Sequence, residues 1–325
     1  MIRIFASILL GTAFGSTQFI HADRPSAKNA RVAYVFGGDT AYLYEPSLHH
    51  ELGSFVVCGG SSPASGAKVD HKRNLWVACT DNGTIEMYPP GASSPEVTLS
   101  DNVNGTAYYV SDVAVDNAGD VYVSSLHAFG CGAGCVSGPG HVDFWLADNV
   151  KNGANPSGTV ADSNLNGEAY YLDTDSAGDT LFVDYYGCHG STCNYAADAV
   201  ANPRAPSASV TTFIPLGGLQ LPGGIAVTSQ PSPEVNIIDQ KGGTLTSYGL
   251  PSLSLTASVD LVENAYHSCD PIYQAWNEHD TQVAIPDPVC KALWHGTGRP
   301  PGTWHPSLGP FFFLPDLVAY SPSDK

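Results

Sequence analysis

Positive charge is scarce in this chain. Its 325 residues include 13 lysines and arginines against 31 aspartates and glutamates, which gives a formal net charge of −18. A surface of this sign repels phosphate backbones, and the composition therefore argues against nucleic acid as a partner. Neutral and basic ligands are compatible with this charge.

Helical patterning is also missing. Beyond the N-terminus, no stretch of about a dozen residues repeats its apolar positions with the 3.6-residue period of a helix. Glycine (34 residues) and proline (24 residues) are both frequent. We therefore expect many turns, few long helices and no transmembrane segment in the mature chain.

The local signatures of several enzyme classes are absent. The sequence contains no G-x-S-x-G elbow, no H-E-x-x-H zinc motif, no P-loop and no dinucleotide-binding glycine fingerprint. It also contains no C-x-x-C pair, which argues against a zinc–thiolate site. The motifs alone leave open whether the protein is an enzyme.

The first 22 residues have the features of an export signal. Arg3 supplies a positive charge, the short apolar run 4–14 follows, and Ala22 ends a plausible cleavage site. We predict a signal peptide over 1–22, a single domain over 23–325, and a secreted or periplasmic location.

Eight cysteines fit an oxidising compartment, where an even number usually forms disulfides. The close pairs Cys131/Cys135 and Cys188/Cys193 can each close one loop. Two wider pairs remain, which are Cys58/Cys79 and Cys269/Cys290.

Two short patterns repeat along the chain. The first, a small or polar residue, an apolar residue, two variable residues and an aromatic residue, occurs at 40–44, 84–88, 141–145, 209–213, 244–248 and 316–320. The second reads as strand, polar turn and strand, and it occurs at 67–77, 113–123 and 172–183, with weaker copies from Ile225 and Tyr273. A unit used about six times predicts an all-β fold, a six-bladed β-propeller of four-stranded antiparallel blades. A β-sandwich is the alternative.

We assign the aromatic segment to the third strand of each blade. The predicted blades are 29–62, 63–103, 104–165, 166–218, 219–261 and 262–325. The first lacks an evident first strand and the last lacks an evident fourth. This predicts a ring closed by strands that are shared between the termini.

The repeats at 67–77 and 113–123, which read AKVDHKRNLWV and VAVDNAGDVYV, resemble those of NHL-repeat and gluconolactonase-like propellers. The lactonase-like branch implies a divalent cation in the central channel, held by Glu, Asn and Asp. An NHL-type lyase implies several histidines around zinc. Gly223 stands where the resemblance would place a lactonase ligand, and this departure weakens the lactonase interpretation.

Candidate metal ligands nevertheless lie near the predicted inner strands. They are Asp112, Asp173, Asp270 and His267, and they would hold a possible divalent cation, calcium or zinc. The alternative is that these acids are ordinary solvated groups at strand ends. The other histidines, His141 among them, are scattered along the chain.

Five aromatic residues are candidates for ligand binding by stacking, namely Tyr109, Tyr171, Tyr266, Trp294 and Trp304. Three lengthened connections, at 124–140, 187–208 and 287–315, are expected between second and third strands on one face. Loops on a rigid scaffold commonly carry recognition. We therefore expect a binding or scaffold module for an unknown small molecule, glycan or protein. The alternative is a metal-dependent lyase or lactonase that acts at the channel.

Overall fold

A computed structural model describes residues 31–103, 105–130, 139–229, 232–261, 271–277, 279–298, 301, 303–308 and 316–320. Within this part of the chain, no helix is long and apolar enough to cross a membrane. The predicted signal peptide and its cleavage site lie outside the described residues.

The described chain folds into six antiparallel sheets, numbered here as blades in chain order. Blade 1 contains β1 (Ala33–Gly37), β2 (Thr40–Tyr44) and β3 (Glu51–Val56). Blade 2 contains β4 (Ala64–Val69), β5 (Leu75–Cys79), β6 (Thr84–Tyr88) and β7 (Val97–Ser100). Blade 3 contains β8 (Asn102–Val103), β9 (Thr106–Val115), β10 (Val121–Ala128), β11 (Pro139–Trp145) and β12 (Gly158–Thr159).

The remaining three blades follow in the same order. Blade 4 contains β13 (Glu168–Thr174), β14 (Thr180–His189), β15 (Thr192–Ala201) and β16 (Ser209–Leu219). Blade 5 contains β17 (Pro222–Thr228), β18 (Glu234–Asp239), β19 (Thr244–Gly249) and β20 (Ser254–Asp260). Blade 6 contains β21 (Ala275–Trp276), β22 (Gln282–Asp287), β23 (Ala292–Thr297) and β24 (Thr303–Leu308). The last strand, β25 (Leu317–Tyr320), pairs with β1 and completes blade 1. Short 3-10 turns occur at Cys58–Gly60, Thr80–Asn82 and Ala147–Asn149.

The inner strands form a closed ring. Strand β25 contacts β4, and contacts continue through β9, β13, β17 and β21 back to β25. The chain is thus a six-bladed β-propeller, as the repeats predicted. The ring closes because the C-terminal strand supplies the innermost strand that blade 1 lacked in the sequence.

Local hydrogen bonding explains the β4–β5 hairpin of blade 2 and the β9–β10 hairpin of blade 3. In blade 3, Asp116 Oδ1 accepts hydrogen bonds from the backbone N–H groups of Ala118, Gly119 and Asp120. Asp70 Oδ1 holds the matching turn of blade 2 by accepting from the N–H of Lys72. An aspartate that binds its own main chain favours this tight turn, and the repeated Asp in the sequence therefore marks it.

The core lies between blades rather than within one sheet. Large side chains such as Phe36, Tyr122, Trp145 and Phe182 are fully buried on strands of blades 1, 3 and 4. A four-stranded sheet cannot bury both of its faces alone, whereas a ring of sheets packs each face against a neighbour.

The aromatic segments do not all occupy the third strand. Those at 40–44, 84–88, 141–145 and 244–248 do, but 209–213 begins the fourth strand of blade 4 and 316–320 leads into β25. The third strands of blades 4 and 6 are β15 and β23 instead. The prediction was wrong at these two places because the pattern describes any half-buried strand.

Only one of the three predicted insertions is a lengthened connection. Residues 129–138 do join the second and third strands of blade 3. The segment 187–208 is mostly β15 and the tip of its hairpin with β14, and 287–315 contains both β23 and β24. Many of the residues predicted as a loop at 187–208 belong to β14 and β15, which are longer than the corresponding strands of other blades. The segment 287–315 contains strands that the repeat pattern did not identify.

Two of the predicted disulfides are present. Cys58 pairs with Cys79, and Cys188 pairs with Cys193 at the tip of the β14–β15 hairpin. Cys290 is also disulfide-bonded. Cys131, Cys135 and Cys269 lie outside the described residues.

Candidate functional site

The axis of the ring is crossed by the side chain of Tyr273, which precedes β21. Its hydroxyl lies 2.7 Å from the carbonyl oxygen of Ala67 and 3.1 Å from the amide nitrogen of the same residue in blade 2. It also lies 3.0 Å from Asp112 Oδ1 in blade 3. One buried hydroxyl therefore connects blade 6 to the opposite side of the ring.

Asp112 is held entirely by protein groups. Its Oδ1 accepts a hydrogen bond from the N–H of Val113, and its Oδ2 accepts one from the N–H of Leu172. Burial raises the pKa of Asp112 to about 8, against the lowering effect of these hydrogen bonds. Because Tyr273 has a single proton, a neutral Asp112 can donate to the tyrosine oxygen while Tyr273 donates to Ala67.

A second bridge crosses the axis beside the first. Both carboxylate oxygens of Asp173 lie 2.7 Å from Lys68 Nζ, and Oδ2 also accepts a hydrogen bond from the N–H of Val227. The ion pair links blades 2 and 4, and the hydrogen bond from Val227 adds blade 5. The structure therefore brings the predicted ligands Asp112 and Asp173 together, with each already hydrogen-bonded to protein. Their role in binding a metal stays a prediction.

The other predicted residues are dispersed. Tyr171 packs edge-on against Tyr273, with ring centroids 5.7 Å apart. Trp294 is buried on β23, where its indole N–H donates to Asp287. Trp304 lies on β24, paired with Gly296. The remaining candidates, Tyr266, His267 and Asp270, lie outside the described residues.

Tyr109 belongs to one of two groups of rings that lie at the same end of blades 3 and 4. Its ring centroid lies 4.4 Å from that of Phe129 and 5.2 Å from that of His127. His127 Nδ1 lies 3.2 Å from Glu168 Oε1, and Glu168 Oε2 accepts a hydrogen bond from the Tyr170 hydroxyl.

The second group lies on blade 4. The ring of Tyr170 lies 6.0 Å from that of Tyr195, which lies 5.2 Å from that of Tyr186. We call these six residues the blade 3–4 rim; they are Tyr109, His127, Phe129, Tyr170, Tyr186 and Tyr195. They share one face because first strands begin there, second strands end there and third strands begin there.

The rim is accessible and carries no fixed positive charge. Phe129 is 37% exposed, an unusual degree for a phenylalanine side chain. The other five rings are half-buried. The sequence has no lysine or arginine between Arg73 and Lys151, or between Lys151 and Arg204.

A compact polar cluster lies on the same face of blade 3. His141 Nε2 lies 3.2 Å from Asp143 Oδ2 and 3.7 Å from Asp101 Oδ1. Both aspartates are fully buried, and the imidazole of His141 stacks edge-on against Tyr108. Burial disfavours the charged imidazole, but its interactions with the two neighbouring carboxylates outweigh this and raise the pKa of His141 to about 10.

A second group of potential metal ligands is occupied by other bonds. Cys58, Cys79 and Glu86 lie close together, but the two sulfurs form a disulfide. Glu86 accepts a hydrogen bond from the N–H of Cys58 and another from the hydroxyl of Tyr88. A disulfide sulfur is not a thiolate ligand, so this group is a structural one.

The sequence held a partial signal for the His141 cluster. His141 and Asp143 stand two residues apart on a strand, and this spacing places both side chains on one face. Asp101 lies far away in sequence, before β8, and no local pattern connects it to His141. The rim had a clearer signal in the repeated Ala-Tyr-Tyr segments, which contribute Tyr109 and Tyr170.

Sequence comparison finds no matching protein-family model and no matching curated protein. Structure comparison finds a chain from a crystal structure of a nidogen/laminin complex, with a TM-score of 0.59 and 9% identity, covering 90% of this chain and 98% of that one. It also finds a luciferin-regenerating enzyme, with a TM-score of 0.54 and 12% identity, covering 76% and 77%. At these identities the likeness supports the six-bladed fold alone, a fold that hosts binding proteins and enzymes alike.

Proposed function

We propose that this chain is an exported propeller that binds a neutral, polyhydroxylated ligand such as a glycan through the blade 3–4 rim. The observation that carries the proposal is two groups of three partly exposed rings, which the carboxylate of Glu168 joins on one face. Flat aromatic faces offer apolar area at low entropic cost, and the phenol groups add directed hydrogen bonds.

Charge supports the choice of ligand class. The rim has a carboxylate at its centre, Glu168, and its blades lack basic residues along nearly all of their length. Anionic ligands such as phosphates or sulfated sugars would be repelled. Glu168 itself is buried, so a neutral sugar would stack its apolar faces on the exposed parts of the rings and bond its hydroxyls to the phenol groups.

The disulfides support export. Bridges of this kind persist in oxidising compartments, and Cys188–Cys193 lies at an exposed hairpin tip, beside the rim strand that bears Tyr195. The repeated turn aspartates Asp70 and Asp116 support the further proposal that the chain is related to NHL-repeat propellers.

The bridges across the axis bear on the alternative, a lyase or lactonase with its metal in the channel. Such an enzyme needs an open coordination position there. Asp112 and Asp173 instead bind backbone N–H groups, a tyrosine and a lysine. For this reason we place the function at the rim.

The test is a screen of the purified chain against an array of neutral and sulfated glycans, followed by calorimetry on the best neutral one. Phe129→Ala removes an exposed ring, and loss of an aromatic anchor should weaken binding by about 10–30-fold. Leu255→Ala, which truncates another exposed side chain on β20, is the matched control and should bind normally.

Two results would overturn the proposal. One is a complete absence of glycan binding. The other is binding that Phe129→Ala and Tyr109→Ala leave unchanged. Preferential capture of sulfated glycans would contradict the charge argument in particular.

A further inference from the structure

We propose that Asp101, His141 and Asp143 bind one divalent transition-metal ion, zinc in the first instance, at the rim-facing end of blade 3. The inference concerns a separate set of side chains and does not depend on the ligand proposed for the rim. Imidazole nitrogen and carboxylate oxygen are common protein ligands of Zn2+.

A buried oxygen atom of Asp101 without a hydrogen-bond partner is evidence for the ion. Asp101 is fully buried, and its Oδ1 has no hydrogen-bond partner among the described residues. His141 Nε2 lies 3.7 Å from this oxygen, which is within ion-pair range but longer than a hydrogen bond. A buried carboxylate oxygen left in this way is costly, and a metal ion would satisfy it.

The three ligand atoms have the spacing that such an ion requires. A tetrahedral zinc site with bonds of about 2.0–2.1 Å separates its ligand atoms by roughly 3.3 Å. His141 Nε2 lies 3.2 Å from Asp143 Oδ2 and 3.7 Å from Asp101 Oδ1, and all three atoms lie within 4.8 Å of one another. Three protein ligands leave a fourth position for water or for a ligand atom.

The opposite atom of every ligand is already fixed by a neighbour. The Ser125 hydroxyl donates to Asp101 Oδ2, and the Thr159 hydroxyl donates to Asp143 Oδ1 at 2.5 Å. His141 Nδ1 lies 3.4 Å from the carbonyl oxygen of Pro139, which can accept its proton. Hydrogen bonds of this kind orient metal ligands, and the opposite atoms, Asp101 Oδ1 and Asp143 Oδ2, are the ones that lie close to His141 Nε2.

Register explains how the chain assembles this arrangement. On β10 and β11, Ser125 stands directly opposite His141, and Thr159 on β12 stands opposite Asp143. Asp101 enters from the end of blade 2, where its N–H donates to the carbonyl of Gly83. The sheet therefore supplies rigid positions for four of the five side chains.

Charge balance favours the ion as well. Two buried carboxylates face one imidazole, so a protonated His141 leaves one negative charge uncompensated, and the hydroxyl partners are neutral. A divalent ion bound to two carboxylates and a neutral imidazole brings the cluster to zero. Buried charges are generally paired or coordinate metals.

The experiment measures Zn2+ binding to the purified full chain after chelator treatment and dialysis, by calorimetry and by metal analysis of the protein. We expect one equivalent of zinc per chain and an increase in Tm on adding it. Co2+ in place of zinc should give the visible absorption of a tetrahedral site.

Variants locate the ion. His141→Ala and Asp143→Asn should abolish stoichiometric binding, whereas His71→Ala, in an exposed turn of blade 2, should retain it. Ser125→Ala keeps all three ligands and removes only a supporting hydroxyl, and it should weaken binding by about 10–100-fold. Circular dichroism establishes that each variant is folded.

Three outcomes would overturn the proposal. They are no zinc binding by the wild-type chain, binding that His141→Ala retains in full, and an affinity that is the same in Ser125→Ala and wild type. The Ser125 variant keeps the test decisive even if loss of His141 prevents folding.

Discussion

We predict that the hydroxyl group of Tyr273 contributes strongly to the stability of the ring. Replacing it with phenylalanine keeps the ring that packs against Tyr171 and removes only the hydroxyl. The N–H and carbonyl of Ala67 then lose the partners that lie 3.1 and 2.7 Å away. Asp112 Oδ1 keeps its hydrogen bond from Val113.

The expected cost follows from these two buried groups. Leaving a buried polar group without a partner costs about 1–3 kcal/mol, so Tyr273→Phe should lower the free energy of unfolding by about 2–6 kcal/mol. For a domain of about 300 residues that corresponds to a decrease in Tm of roughly 3–10 °C. Thermal melts and urea titrations followed by circular dichroism measure both quantities.

Tyr122→Phe is the matched control. Tyr122 is fully buried, and its hydroxyl has no hydrogen-bond partner within the part of the chain that the structure describes. Removing that hydroxyl should leave Tm unchanged or raise it slightly. The reasoning fails if Tyr273→Phe melts with the wild type, or if both variants lose the same amount.

Two more predictions concern pH and the disulfides. Asp112 has an ordinary pKa of 3.8 and a folded pKa of about 8, so the folded chain retains a proton that the unfolded chain loses. Stability from this group therefore falls as pH rises from about 4 to about 8, by up to about 1.4 kcal/mol per pH unit. Melts at pH 5 and pH 8 should show this slope, and Asp112→Asn should flatten it; an unchanged slope contradicts the assignment. Removing Cys58–Cys79, whose cysteines are 21 residues apart, with a double serine variant should cost about 3 kcal/mol in urea titrations. Equal stability of variant and parent would show that the bridge does not constrain the unfolded chain.

Features that depend on interactions within a short segment could be predicted from the sequence. Features that depend on contacts between distant segments could not. The β4–β5 and β9–β10 hairpins were predictable because one aspartate in each, Asp70 or Asp116, binds the main chain of its own turn. The third strands of blades 4 and 6 were not, since segments 209–213 and 316–320 carry the same alternation on other strands. Alternation reports a half-buried strand and says nothing about its place in the sheet.

The candidate sites divide in the same way. Of the six rim residues, the sequence analysis proposed only Tyr109 as a ligand-binding candidate, and the residues that surround it in the structure were not predicted. His141 and Asp143 share a strand and a face, but Asp101 joins them only because blade 2 ends beside blade 3. Contacts across the axis, such as Tyr273 with Ala67, depend on closure of the whole ring and leave no trace in local sequence.

The pairing of β25 with β1 has a consequence for the order in which the molecule forms. Gly38 and Asp316, at the seam, are 278 residues apart and are joined by a hydrogen bond. During synthesis from the N-terminus, β1–β3 of blade 1 are made before the other blades, yet their innermost strand, β25, is made only after blade 6. Seam formation must therefore be a late, long-range event, and the entropy of closing so large a loop opposes it until the intervening blades shorten the distance. Strand β25 therefore closes the ring. A nascent chain that still lacks this strand has an open ring of blades.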